Sequence, residues 1–308
     1  MNASNDEAVV AGVDGTGPSE RAAMWAARQA VIFDKPLVLV YGMRWPVHAQ
    51  AHLHAPVGMG AVDPALDEEP MRQWARDMLD GLAERCRDAT GAEVRTEIAS
   101  GDPADAMILA ADRVAFVVVG HSDQGGVARF LLGSTAERLT RSCPWPVVVV
   151  RDEAAVDRRR DGGPVVVGVD GSPVSGRALR FAFGFATRHG AEVVVVHASS
   201  GAVTTTAVEP VGTREEAALR EGWGPVGSEL VECAGRYPGV RHRVVDAAGP
   251  PADALIAASA EAGLLVVGSH GKGVVRRAFL GSVSHEVVNS APCPVAVLPP
   301  ETEGTGDT

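Results

Sequence analysis

The chain of 308 residues lacks long apolar runs and an excess of positive charge. No run approaches the roughly 20 apolar residues that a membrane-spanning helix requires. The net charge of −11 argues against a surface that binds nucleic acid of any sequence or an acidic membrane. It does not exclude small ligands such as nucleotides, which backbone groups can bind locally. Residues 1–7 lack the basic and apolar parts of a signal peptide. We therefore expect a cytoplasmic protein with neither nucleic acid nor membrane as a partner.

Cysteine is scarce too, and its spacing excludes the common cysteine-based sites. The four cysteines form no CxxC pair and no zinc-ligand spacing; they are Cys86, Cys143, Cys233 and Cys293. The sequence predicts ordinary semi-buried thiols, with redox sensing as the alternative. The composition is otherwise that of a globular protein, with 46% apolar and 22% charged residues.

One stretch carries most of the chemical information. The apolar run 264–267 predicts a buried strand, and it leads into Gly268-Ser-His-Gly271-Lys-Gly273, which continues to Gly281-Ser282. A predicted helix follows over residues 283–289. Glycines allow close approach of a ligand to the backbone and permit positive φ, while free N–H groups at a helix start favour anions. The stretch therefore predicts a phosphate-binding loop.

The same stretch occurs earlier, from Gly120 to Gly133-Ser134, at an offset of 148 residues. Residues 101–149 match residues 249–297 at roughly twenty of about fifty positions, which indicates an internal repeat. Two further segments, Val10–Thr16 and Val166–Ser172, match at an offset of 156. We predict a first domain over 1–152, a linker over 153–163, a second domain over 164–300 and a polar tail over 301–308, with an insertion over 43–69 in the first domain.

Strands and helices alternate in each predicted domain. Alternation with apolar strands predicts a parallel sheet covered by helices on both faces. Ser19 is the predicted N-cap of the first helix. The last strands, 147–150 and 295–298, are short and apolar, so we expect them to pair with each other rather than stay exposed.

Ligands of such sheets bind at the carboxyl ends of the strands, where strand order reverses. Asp14 and Asp170 end the first strand of each repeat, so each should lie beside the glycine loop of its own repeat.

Together these motifs resemble tandem universal stress protein domains. The resemblance rests on two copies of Val-Asp-Gly-Ser/Thr, a G-x-P turn and G-x2-G-x9-G-S, and covers nearly the whole chain. It implies an α/β fold of two repeated doubly wound domains, each with a five-stranded parallel sheet of order 3-2-1-4-5. It also implies ATP as ligand, with Mg²⁺ plausible on the phosphates, and pairing of the domains within the chain or in a homodimer.

The resemblance also implies two sets of nucleotide-binding residues. In the second domain they are Gly168, Val169, Asp170, Ala198, Gly268, His270, Gly271, Gly281, Ser282, Val283 and Ser284. In the first domain they are Gly12, Val13, Asp14, Gly42, Gly120, Gly133, Ser134 and Thr135. Asp123 departs from the family pattern because it stands where Gly271 stands in the second repeat. Its side chain and charge predict weaker ATP binding by the first domain.

Each assignment has a structural alternative. The two aspartates could simply begin turns as Asx residues, and the glycine loops could be plain connections. His48, His52 and His54 could suggest a metal site, but an insertion without further ligands favours a solvated loop. Arg158–Arg160 is typical of a solvated linker. No acid or base stands in evident partnership with His270, so we predict no catalytic residue and no metal site.

Three functions remain open from the sequence. The resemblance favours an ATP-binding stress regulator or nucleotide sensor. A weak ATP hydrolase or adenylyl transferase on the same scaffold is the second, and a nucleotide-free assembly module is the third. The glycine loop follows the fourth strand and lacks the lysine–serine/threonine ending of a P-loop, so neither a dinucleotide-binding Rossmann domain nor a P-loop enzyme fits.

Overall fold

A computed structural model describes residues 7–43, 68–111, 113–121, 132–151, 162–199, 225–271 and 280–300. These residues fall into two compact units, one within residues 1–119 and one within residues 120–308. Several sequence predictions lie outside the described residues: the three histidines of the insertion, Asp123, the Arg158–Arg160 run, and the tail 301–308.

The first unit is a parallel sheet whose strand order is β3-β2-β1-β4. Its elements are β1 (Glu7–Gly12), α1 (Gly17–Phe33), β2 (Leu37–Met43), α2 (Glu68–Thr90), β3 (Val94–Ser100), α3 (Pro103–Leu109) and β4 (Arg113–Gly120). The middle residues of the central strands are mostly valine, leucine and alanine and are buried, as expected for parallel strands covered on both faces. Alanines at every turn of α1 allow this helix to lie close to the sheet. Trp25 and Phe33 of α1 both pack edge-on against Phe116 of β4.

The start of α1 differs from the prediction. Thr16, not Ser19, is the N-cap residue, and Pro18 lies in the first turn, where its missing N–H removes no hydrogen bond. The Ser19 hydroxyl donates to the Thr16 carbonyl oxygen at 2.9 Å and accepts from the Asp14 N–H at 3.2 Å. Ser19 therefore lies within the helix, and its hydroxyl stabilises the turn that follows β1.

The second unit contains the complete second repeat. Its elements are α4 (Ser134–Ser142), β5 (Val147–Val150), β6 (Val165–Val169), α5 (Pro173–His189), β7 (Val193–Ser199), α6 (Pro225–Arg236), β8 (His242–Ala248), α7 (Pro251–Ala258), β9 (Leu264–Gly268), α8 (Ser282–Ser290) and β10 (Val295–Leu298). Strands β8-β7-β6-β9-β10 lie side by side and parallel. When the strands are numbered by their order within the repeat, this is the predicted order 3-2-1-4-5. The strand order reverses between β6 and β9.

The two short last strands pair with each other, as their apolar character predicted. Strand β10 is antiparallel to β5, with Val148 opposite Ala296, and both residues are completely buried. The pairing satisfies the backbone N–H and C=O groups along one edge of β10, which would otherwise be unpaired. Among the described residues, no helix combines the length and the apolar character needed to cross a bilayer.

Candidate functional site

A cleft of about 390 Å³ opens at the carboxyl ends of β6 and β9, at the point of strand-order reversal. Ten of the eleven predicted residues of the second repeat line it; they are Gly168, Val169, Asp170, Gly268, His270, Gly271, Gly281, Ser282, Val283 and Ser284. The eleventh, Ala198, lies on β7 two residues beyond Val196, which also lines the cleft.

Backbone hydrogen bonds fix both ends of the glycine loop. The Ser269 N–H donates to the Leu298 carbonyl oxygen at 2.8 Å, which ties the loop start to β10. The Gly281 N–H donates to the Ser269 carbonyl oxygen at 2.8 Å, and the Ser284 hydroxyl donates to the Gly268 carbonyl oxygen at 2.5 Å. The beginning of α8 is therefore held against the end of β9.

The first turn of α8 forms the polar end of the cleft. Gly281 is its N-cap residue, with φ −60° and ψ 151°, and no side chain caps the helix. Ser282 and Val283 follow in the first turn and line the cleft. Their N–H groups precede the intrahelical hydrogen-bond ladder, and the helix dipole places partial positive charge there. Such a helix start can bind an anion such as phosphate.

Asp170 lies directly beside the glycine loop, as the sequence predicted. Its Oδ1 accepts hydrogen bonds from the Ser172 N–H at 3.0 Å and the Ser172 hydroxyl at 2.7 Å. A Cβ atom at Gly271 would lie only 2.6 Å from the Asp170 Oδ2. The aspartate does begin an Asx turn, so that structural alternative describes its local geometry correctly. The same carboxylate also faces the loop, where it can interact with a ligand.

Of the cleft glycines, Gly268 and Gly271 are required by space rather than by backbone conformation. The φ angles of Gly168, Gly268, Gly271 and Gly281 lie outside the left-handed region, in contrast to the expected use of positive φ. A Cβ atom at Gly268 would lie 2.7 Å from Val174 Cγ1. The positive φ is found one residue after the aspartate, at Gly171 with 80°, where the Asx turn needs it.

His270 projects from the loop into the cleft lining. Its Nδ1 lies 3.0 Å from the Ser269 hydroxyl oxygen, and Ser269 is almost completely buried. The His270 Nε2 is buried and has no hydrogen-bond partner among the described residues. The imidazole is thus oriented by its neighbour and retains one ring nitrogen that can hydrogen-bond to a ligand.

Sequence reasoning missed the cleft residues that come from neighbouring elements. These are Ser172 and Ser175 at the start of α5, Val196 on β7, Pro251 and Leu255 on α7, and Val267 on β9. Val196 pairs with Gly168 across the sheet, so the register of β6 and β7 places it at the cleft. Pro251 and Leu255 lie four residues apart on one helix face, which is the signal that could have suggested them.

The predicted residues of the first repeat fall in both units. Asp14 repeats the local geometry of Asp170, because its Oδ1 accepts from the Thr16 N–H at 3.0 Å and from the Thr16 hydroxyl at 2.6 Å. Partial burial alone would raise the pKa of Asp14, but hydrogen bonds involving Thr16 and Ser19 outweigh it and lower the pKa below its ordinary value. Gly12 ends β1, Val13 follows it, and Gly42 lies on β2.

In the other unit, Gly133 caps α4 with φ −58° and ψ 150°, as Gly281 caps α8. Ser134 and Thr135 form the first turn of α4, and Gly120 ends β4. The first set of nucleotide-binding residues stays a prediction.

The sequence predicted ordinary semi-buried thiols; all four cysteines are buried, and none of them forms a disulfide. Burial raises the pKa of Cys86 and Cys143 to about 11 and that of Cys233 to about 12. These thiols are therefore protonated at neutral pH. Within the part of the chain that the structure describes, no three His, Cys, Asp or Glu side chains cluster as metal ligands.

The universal stress protein family model matches the chain twice, over residues 7–151 and 163–299. A universal stress protein of Mycobacterium tuberculosis is 35% identical over 94% of this chain and 96% of its own length. Another, from Mycolicibacterium smegmatis, is 34% identical over 97% of this chain and 99% of its own length. The crystal structure of a universal stress protein from Archaeoglobus fulgidus shares the fold, with a TM-score of 0.68, 22% identity, and coverage of 96% of this chain and 99% of that one.

Proposed function

This chain belongs to the universal stress protein family, and we propose that the cleft of its second repeat binds ATP in a cytoplasmic stress-response regulator or nucleotide sensor. The observation that supports the proposal is the cleft itself, which is lined by aliphatic side chains and by the N-terminus of α8. Its volume of about 390 Å³ lies in the range of small-molecule sites.

The apolar end fits a purine base. Val169, Val196 and Leu255 line it, and these side chains present aliphatic surface at the carboxyl ends of the strands. Asp170 lies there too, and its carboxylate can accept a hydrogen bond from a base amino group or a ribose hydroxyl. Apolar contact together with a charge-assisted hydrogen bond would hold and orient the nucleoside.

The polar end fits the phosphates. The N-terminus of α8 supplies backbone N–H groups, and the Ser282 hydroxyl supplies a further donor. The His270 imidazole also lines the cleft and can donate to a phosphate oxygen through Nε2. Because the described residues offer no cluster of metal ligands, Mg²⁺ would bind chiefly through the phosphate oxygens and its own waters.

The proposal is tested by calorimetric titration of the full chain with ATP, with and without Mg²⁺. The informative variant is Asp170→Asn, which keeps an acceptor for Ser172 and removes only the charge. We expect its ATP affinity to fall about tenfold, the size of one hydrogen bond to a charged group. Asp253→Asn is the matched control, because Asp253 is an exposed aspartate of α7 outside the cleft lining. ATP binding that is absent in the wild type, or equal in both variants, would contradict the proposal.

A further inference from the structure

We propose that this chain binds one nucleotide rather than two, because Met107 and Pro103 already fill the base end of the first repeat. The inference rests on the proposed function of the second repeat and adds which repeat is used. It depends only on residues of the first unit and on their sequence counterparts in the second.

The repeat offsets define the counterparts. Gly12 corresponds to Gly168 and Gly42 to Ala198 at an offset of 156 residues. Pro103, Met107 and Val119 correspond to Pro251, Leu255 and Val267 at an offset of 148. In the second repeat, four of these counterparts, all except Ala198, are among the residues that line the cleft. The same positions in the first repeat therefore mark where its base end would be.

The side chain of Met107 occupies that place. A Cβ atom at Gly12 would lie 2.6 Å from the Met107 sulfur, 2.8 Å from its terminal methyl and 3.6 Å from Val119 Cγ1. The thioether end thus lies directly over Gly12, in the place that a Cβ atom would occupy. Met107 is 1% exposed. The space is filled by a side chain that reaches further than the leucine of the second repeat.

The start of α3 also lies close against β2. A Cβ atom at Gly42 would lie 2.4 Å from Pro103 Cα and 2.7 Å from Pro103 Cβ. Only glycine permits this approach, since real Cβ atoms do not come so near other heavy atoms. The second repeat has Ala198 rather than glycine at the corresponding position. There, Pro251 is exposed and lines the cleft.

Leu255 shows what the second repeat does differently. Its two δ methyl groups would lie 3.0 Å from a Cβ atom at Gly168, whereas the Met107 sulfur would lie 2.6 Å from a Cβ atom at Gly12. Leu255 forms one wall of an open cleft. A nucleotide entering the first repeat would have to displace a buried methionine. Exposing such a side chain lowers affinity by about tenfold to hundredfold, before any effect of the loop.

The exchange variant Leu255→Met tests the argument directly. It places the side chain of the first repeat in the cleft of the second, and leucine-to-methionine changes conserve volume and are well tolerated in cores. We expect ATP affinity to fall by about tenfold to hundredfold. The control is Leu230→Met, at a buried position of α6 outside the cleft lining, which should leave affinity unchanged.

A second measurement on the folded wild-type chain uses methionine methyl resonances. The Met107 signal is assigned by its loss in Met107→Leu, and calorimetry on the same sample gives the stoichiometry. We expect one ATP per chain and a Met107 resonance that does not move at saturating ATP. Two equivalents of ATP, a shifted Met107 signal, or full affinity in Leu255→Met would overturn the inference while leaving the proposed function intact. No binding by the wild type would instead refute the proposed function.

Discussion

Replacing Gly281 by alanine or by serine distinguishes an effect on ATP binding from an effect on helix stability. Both side chains should weaken ATP binding, but they should change the free energy of unfolding in opposite directions. Gly281 is the N-cap of α8, and its φ of −60° is available to any residue. A Cβ atom there would lie 3.4 Å from the Ser269 carbonyl oxygen, 3.6 Å from His270 Cα and 3.7 Å from the Ser284 hydroxyl oxygen. These are ordinary contacts, so the folded chain tolerates the added atom. Since His270 and Ser284 line the cleft, the atom enters the space assigned to phosphate.

The expected magnitudes follow from this geometry. Alanine is a poor N-cap residue, so Gly281→Ala should lower the free energy of unfolding by about 0.5–1 kcal/mol. Serine is a preferred N-cap residue, so Gly281→Ser should raise the free energy of unfolding by a few tenths of a kcal/mol. Both place a Cβ atom where phosphate must approach the backbone. An added atom in a filled site costs about 1–3 kcal/mol, so ATP affinity should fall roughly tenfold to hundredfold in both variants.

The assay combines calorimetric titration with ATP and denaturant unfolding without ligand. Gly281→Val extends the series, since its larger side chain should abolish measurable binding. Wild-type affinity in Gly281→Val would refute the assignment of this helix start to phosphate. Affinity that follows the free energy of unfolding across the series, with Gly281→Ser binding as well as the wild type, would show that helix stability alone controls binding.

Three further predictions concern stability and reactivity. All four thiols should resist iodoacetamide at pH 7.5 in the native chain and react in denaturant. They are buried, and three of them have pKa values of about 11–12. Rapid alkylation of the native chain would contradict this prediction. Burial lowers the pKa of His242 from 6.5, so the unfolded state binds the extra proton and the free energy of unfolding should fall as pH drops below about 6.5. His242→Phe should weaken that dependence, and an unchanged pH profile would contradict the assignment. Val148→Ala removes buried methyl groups at the β5–β10 pair and should cost about 2 kcal/mol of stability in thermal unfolding, whereas a cost near zero would contradict the burial of that strand pair.

The order of strands and helices was predictable because the chain supplies it twice. The four-residue strands Val147–Val150 and Val295–Leu298 have the bounds that the sequence predicted. Boundaries set by side-chain geometry were less certain. The first helix begins two residues before Ser19, since Pro18 fits the first turn and the serine hydroxyl serves the preceding turn. Helix α7 ends at Ala258, and hydrogen-bonded turns follow it.

The candidate site was predictable where one short stretch defines it. The two ends of the glycine loop, at Gly268–Gly271 and Gly281–Ser284, lie beside the aspartate that follows β6, because a parallel sheet brings the carboxyl ends of its strands together. The apolar end was not predictable, since Val196 and Leu255 contribute through sheet register and helix docking rather than through a motif. The filling of the first repeat by Met107 depends on distances that repeat alignment cannot supply, because methionine and leucine look equivalent in a hydrophobic pattern.

The most direct test of the central claim is a crystal structure of the full chain grown with ATP. Electron density should place the base against Val169, Val196 and Leu255, with the phosphates at the N-terminus of α8 beside Ser282. Density for ATP elsewhere in the molecule, or an empty cleft at ATP concentrations of roughly a hundred times the measured Kd, would contradict the account.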